Sequence, residues 1–116
     1  GIALHEALSW YEQSYEPALD STKLVWKKST QDATKNILKE LIGVLTEMAE
    51  GDFTKQIIEE HIMNWIDTTQ KGRGDTLWPM RYALTGREHS PGPFEIAAVL
   101  GKQDTLHRLT RAHGIL

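Results

Sequence analysis

From Gln31 to Glu50 the residues Ile37, Leu38, Leu41, Ile42, Leu45 and Met48 recur at helical spacing and form one apolar stripe. This feature constrains the fold most, because an amphipathic helix of that length must bury its stripe against other elements. Those elements read as helices too. Ser29 or Thr30 can cap the first helix and Gly51 ends it. A second helix begins near Thr54, with Ile58, Ile62, Trp65 and Ile66 facing inward and Glu59, Glu60 and Asp67 mostly outward. It stops before Gly72-Arg73-Gly74, which reads as a loop, so the two helices are expected to pair as a hairpin. Asp75 or Thr76 then caps a third helix, with Pro79 in its first turn, where a missing N–H costs little, and Gly86 at its end. The loop Arg87 to Gly92 leads into a fourth helix, Pro93 to Leu100. Gly101 separates that from a fifth, Lys102 to Ala112, with Leu106 and Leu109 inward.

Ahead of the long stripe, Leu4, Leu8, Tyr11 and Tyr15 suggest a short helix closed by Pro17. The connector Glu16 to Lys28 carries Leu24, Val25 and Trp26, expected to pack as an anchor; a strand there would lack a partner. The fold expected is all-α: a compact bundle of about five helices. Residues 1–28 form an N-terminal helix and connector and 29–116 a helical subdomain, together one compact domain. At 116 residues the chain can bury a core without metal or disulfide help. It starts at Gly1 with helical spacing soon after, so we expect a piece of something longer.

Absent residue types narrow the function. With no cysteine there is neither a disulfide framework nor a thiolate metal site, and a reducing, cytoplasmic setting is expected. No apolar run approaches the roughly 20 residues of a membrane span, and no signal peptide is evident, so no membrane partner is expected. His5, His61, His89, His107 and His113 are scattered, and His61 lacks a second ligand at i+4, so no metal site is expected. Ser29, Thr85 and Ser90 lie in no nucleophile elbow, and Gly72-Arg73-Gly74 lacks the Gly-Lys-Ser/Thr of a phosphate-binding loop. Catalysis by this chain is not expected.

Charge points elsewhere. The net charge is -3, yet residues 1–70 hold 6 Lys and Arg against 12 Asp and Glu, whereas residues 71–116 hold 7 against 4. A polyanion meets a local patch and not the chain average. In that basic third, Arg81 sits on a helix and a stiff Pro91-Gly92-Pro93 run precedes a helix N-terminus, with Lys102, Arg108 and Arg111 nearby in sequence. Splayed single-stranded bases are read by flat side chains and hydrogen bonds at their edges, so a guanidinium beside a rigid loop suits RNA. The same residues also suit a plain turn, with the Arg81 stem covering a helix face.

One stretch carries more information. Residues 74–112, GDTLWPMRYALTGREHSPGPFEIAAVLGKQDTLHRLTRA, contain Pro79, Arg81, Ala83, Leu84, Thr85 and Gly86; then Pro91 and Gly92; then Phe94, Glu95 and Ile96; then Leu100, Gly101 and Lys102; then Leu106, Arg108 and Leu109. This order closely resembles the C-terminal anticodon-binding end of bacterial glutamyl-tRNA synthetases, and the upstream LVWKKSTQDATKNI resembles the connector that opens that subdomain. The resemblance implies a class I ligase whose catalytic domain, joined in cis, activates glutamate with ATP and Mg²⁺ and esterifies tRNA. This chain has neither the His-Ile-Gly-His nor the Lys-Met-Ser-Lys-Ser type of signature and needs no cofactor of its own. Its implied partner is the anticodon loop of tRNA-Glu, not DNA. The resemblance makes Arg81 the base-reading guanidinium and Ser90, Pro91 and Pro93 the edge and shape contacts; Pro93 departs from relatives with an aliphatic residue there. From charge alone, Arg87, Lys102 and Arg108 are added as backbone contacts. The competing readings are a helical protein-interaction or regulatory module on the same fold and a small helical enzyme.

Overall fold

The computed structural model describes residues 19–27 and 29–116, and within them every regular element is helical. The helix expected over Leu4 to Tyr15 lies outside the described residues. The connector holds one helical turn, α1 (Ser21–Leu24). Asp20 caps it: its carboxylate accepts from the Thr22 hydroxyl and from the Thr22 N–H, and these bonds hold that carboxyl below its usual range. Leu24 is fully buried, the anchor the sequence led us to expect, whereas Val25 and Trp26 are half-exposed.

The long stripe becomes α2 (Gln31–Thr46), capped by Thr30, whose Oγ1 accepts from the Ala33 N–H at 3.1 Å. Ile37, Leu38, Leu41 and Leu45 are buried along it. The helix stops four residues short of Glu50. Lys102 satisfies this early end, since its ammonium donates to the Thr46 carbonyl at 3.0 Å and supplies a partner that the last turn lacks. The chain then passes through a 3-10 turn, Glu50–Asp52, with Met48 and Phe53 buried around it. Next comes α3 (Lys55–Thr68), capped by Thr54 and burying Ile58, Ile62, Trp65 and Ile66.

The largest departure from expectation is α4 (Arg73–Thr85). Gly72-Arg73-Gly74 is not a loop: Gly72 is the N-cap and Arg73 the first helical residue. Pro79 accordingly lies inside the helix and not in its first turn, and the missing proline N–H takes the usual donor from the Asp75 carbonyl. Gly86 ends the helix in the left-handed region at φ 66°, where a Cβ would be strained, and its N–H donates to the Tyr82 carbonyl. Then α5 (Pro93–Leu100) begins where the sequence placed it, and Gly101 joins it to α6 (Lys102–Gly114), two residues longer than expected.

Helices α2 and α3 do touch, but each has a larger neighbour, α6 for α2 and α5 for α3. Helix α4 packs against α1, α2, α5 and α6 and so forms the centre of the bundle. Met80, Ala83 and Leu84 of α4 join Leu38, Leu41, Ile58, Ile62 and Leu109 in the core. Being central, α4 is buried on most of its circumference. Its remaining strip is where a ligand can reach it.

Candidate nucleic-acid interface

Along α4 the half-exposed residues Gly74, Leu77, Trp78 and Arg81 fall at i, i+3, i+4 and i+7, one face of a helix. Residues 19–27 run antiparallel beside this strip. The Asp20 N–H donates to the Tyr82 hydroxyl at 3.0 Å, and the Trp78 indole N–H donates to the Lys23 carbonyl at 2.6 Å. At the far end Trp26 lies on Gly74. A Cβ at position 74 would stand 2.7 Å from Trp26 Cε2, so only glycine lets the indole lie this close to the helix. The Trp26 and Trp78 rings meet at 5.2 Å between centroids with a 41° tilt, and the Lys27 ammonium stands 4.7 Å over the Trp26 ring.

Together Trp26, Arg73, Gly74, Leu77, Trp78 and Arg81 line a cavity of about 200 Å³. Neither Arg73 nor Arg81 pairs with a carboxylate among the described residues. Two permanently charged, planar donors thus stand beside two indoles, Arg73 exposed and Arg81 half-exposed, with no carboxylate taking up their hydrogen-bonding capacity among the described residues. Such a surface can stack a flat ring and hold an anion. It offers no nucleophile or acid–base pair, and no group of three His, Cys, Asp or Glu side chains assembles as a metal site among the described residues.

The loop beyond α4 is tied to the same helix end. The buried Thr85 hydroxyl donates to the Arg81 carbonyl at 2.9 Å and accepts from the Arg87 N–H at 3.1 Å, so the loop leaves α4 in a fixed direction. Lys23 of α1 pairs with Glu88 at 3.8 Å, which brings the loop against the α1 flank of α4. Ser90 donates to the Pro91 carbonyl, and both residues are half-buried; Arg87 is exposed. None of residues 87–93 lines the cavity, so Arg81 and the loop share one end of α4 without sharing that hollow.

Three of the residues expected to meet RNA have structural partners within the bundle. Pro93 is buried as the first residue of α5, where its fixed φ suits a helix start and its ring is turned away from solvent. Arg108 is only 3% exposed: it donates to the Leu84 carbonyl at 2.7 Å and pairs with Asp104 at 3.2 Å, closing the C-terminus of α4 from inside the bundle. Lys102 closes α2 through Thr46. Conversely, Trp26, Arg73 and Trp78 line the cavity, and none of the three was expected from sequence to meet RNA, Trp26 having been read as a packing anchor and Arg73 as part of a loop. The Gly74, Leu77, Trp78, Arg81 spacing was a usable signal, hidden once residues 72–74 were read as a loop.

Comparison with known proteins shows the family and the fold. Residues 3–113 match a family described as an anticodon binding domain. A glutamate–tRNA ligase of Clostridium botulinum (strain Okra / Type B1) is 37% identical over 91 residues, 77% of this chain and 19% of that protein. One from Flavobacterium johnsoniae is 33% identical over 85 residues, 73% of this chain and 17% of that protein. A crystal structure of a glutamate tRNA ligase from Elizabethkingia meningosepticum, in complex with its amino acid, superposes with a TM-score of 0.72 at 24% identity. That superposition covers 91% of this chain and 21% of the other, and shows the shared fold. The chain spans about a fifth of the length of the relatives it matches. With the match running through nearly the whole sequence, the chain belongs to the anticodon-binding domain family.

Proposed function

We propose that this chain is the anticodon-loop recognition module of a glutamate–tRNA ligase, giving tRNA-Glu specificity to an ATP-dependent glutamylation carried out by a catalytic domain in cis. The observation that carries the reading is the open strip of α4, where Arg81 presents a guanidinium without a carboxylate partner among the described residues, beside two indoles and a stiff loop. RNA outside duplexes is recognised by such flat cations and rings, because unstacked bases expose both a π-face and a hydrogen-bonding edge.

In this reading Arg81 reads a base edge, Ser90 and Pro91 shape the loop contact, and Arg87 meets backbone phosphate. ATP and Mg²⁺ act in the catalytic domain, and the work is done in the cytoplasm; no described helix is long and apolar enough to cross a membrane. The test is titration of the chain with a tRNA-Glu anticodon stem-loop and with the same stem carrying a scrambled loop, across a salt series. Preference for the cognate loop with affinity falling as salt rises is the expected result. Equal binding of both loops at every salt concentration, here and in the full-length ligase, would remove the reading.

A further inference from the structure

Tyr82 follows Arg81 on α4, and its ring and its hydroxyl serve different ends. The residue is 4% exposed and belongs to the hydrophobic core. Its hydroxyl accepts from the Asp20 N–H at 3.0 Å. Packing needs the ring alone, since phenylalanine would fill nearly the same volume; the oxygen serves its partner. We propose that Tyr82 is a positioning residue for loop recognition: through Asp20 its hydroxyl fixes the α1 turn, and α1 sets the spacing between the Arg81 hollow and the loop at 87–92. This rests on the anticodon-loop reading above and adds to it a residue that acts without touching RNA.

The contacts run unbroken from the hydroxyl to both halves of the site. Asp20 is the N-cap of α1, and its carboxylate accepts from the Thr22 N–H and hydroxyl, so a held Asp20 holds the turn. Further along the turn, Lys23 faces two ways. Its carbonyl accepts from the Trp78 indole N–H at 2.6 Å, on the α4 strip, and its ammonium pairs with Glu88 at 3.8 Å, in the loop. Leu24 is fully buried and anchors the turn, but one apolar anchor leaves rotation about itself. The bonds to Tyr82 and Trp78, four residues and about 6 Å apart along α4, remove that rotation. The Lys23–Glu88 pair is half-exposed on both sides and weak alone, so α1 places the loop only while α1 itself is fixed. A recognition surface in two parts costs less to occupy when its spacing is set before RNA arrives.

The experiment rests on Tyr82→Phe, which keeps the ring and removes the oxygen. Amide exchange followed by NMR should quicken at Asp20 and the Trp78 indole N–H signal should shift, while the amides of α2 and α6 keep wild-type protection. Titrated with the tRNA-Glu anticodon stem-loop, the variant should bind the cognate loop about 2- to 10-fold more weakly, the ceiling being the share of competent conformer that one hydrogen bond can hold. The scrambled loop, which makes no fitted contact, should lose less. In an Arg81→Ala background the substitution should cost less than it does alone, because the spacing it protects has lost one of its ends. Asp20→Ala is the second variant, loosening α1 while keeping the backbone N–H that Tyr82 holds. Loss of a carboxylate would by charge alone strengthen RNA binding, so weaker cognate binding reports the lost cap. Unchanged cognate affinity in Tyr82→Phe, equal losses for both loops, full additivity with Arg81→Ala, or stronger binding by Asp20→Ala overturns the positioning role and leaves the anticodon-loop reading intact. A wild-type chain without preference for the cognate loop overturns that reading and this role with it.

Discussion

The α2–α6 pair and the α1–α4 face both present basic side chains, and they use them oppositely. Between α2 and α6 the lysines are reciprocal: Lys102 at the start of α6 donates to Thr46 at the end of α2, and Lys35 of α2 donates at 3.2 Å to His113 at the end of α6. Each ammonium sits at the negative end of its neighbour's helix dipole, and Arg108 does the same for α4 from inside the core. On the α1–α4 face, Arg73 and Arg81 have no such carbonyl and no carboxylate among the described residues. Within the basic third, Lys102 and Arg108 thus form one population, committed to helix ends, and Arg73 and Arg81 another, without such a partner among the described residues; only packing separates them.

The sharpest way to break this division is Arg108→Ala. Removing one partner of a buried pair leaves the Asp104 carboxylate and the Leu84 carbonyl in a low-dielectric site, so urea unfolding should show a loss of about 3–5 kcal/mol. Folded variant at low temperature should bind the stem-loop as wild type does. A variant of unchanged stability but weakened RNA binding would move Arg108 into the other population.

Arg81→Ala should do the reverse. Stability should stay within about 0.5 kcal/mol of wild type, while cognate-loop binding falls by about 1–3 kcal/mol and discrimination against the scrambled loop narrows. Intact discrimination in that variant, measured in the same titrations, would show that the base is read elsewhere.

How far sequence could take this follows from which signals are local. Thr30, Thr54, Gly86, Pro93 and Gly101 mark helix ends by their own chemistry, and all five stand where the spacing put them. The start of α4 and the end of α2 were misplaced, and at each the structure brings in a residue far along the chain: Trp26 lies on Gly74 in the first turn of α4, and Lys102 donates to Thr46 at the end of α2. Arg108 could have been recognised: Thr105, Leu109 and Ala112 share its buried face, and Asp104 lies four residues before it. Net charge concealed that pattern. Trp26 and Trp78 carried no helical or loop signature that tied them together, since 52 positions separate them and only the antiparallel run of residues 19–27 along α4 joins them.

Gly74→Ala tests that joint directly. Alanine is the better helix former by up to about 1 kcal/mol, but its methyl would push the Trp26 indole off the helix, and such overpacking costs about 1–3 kcal/mol. We expect a net loss near 1 kcal/mol in unfolding experiments, a change in tryptophan fluorescence, and weaker stem-loop binding. A stabilised variant with unaltered fluorescence would mean that the indole does not rest on Gly74 in solution.

The smallest effect is expected from Lys102→Ala, and it decides the most about charge. Sequence made this lysine a phosphate contact, whereas its ammonium is engaged with the Thr46 carbonyl. Losing a cation from an exposed helix C-terminus costs about 0.3–1 kcal/mol, and added salt should shrink the difference because the interaction is screened. If the lysine only closes α2, the slope of log affinity against log salt for the stem-loop should match that of wild type. A lysine that also reached phosphate would flatten the slope by about one, for cognate and scrambled loops alike. Measured beside Arg73→Gln, which should flatten the slope while leaving stability alone, Lys102→Ala separates a cation that holds the bundle from one that holds RNA.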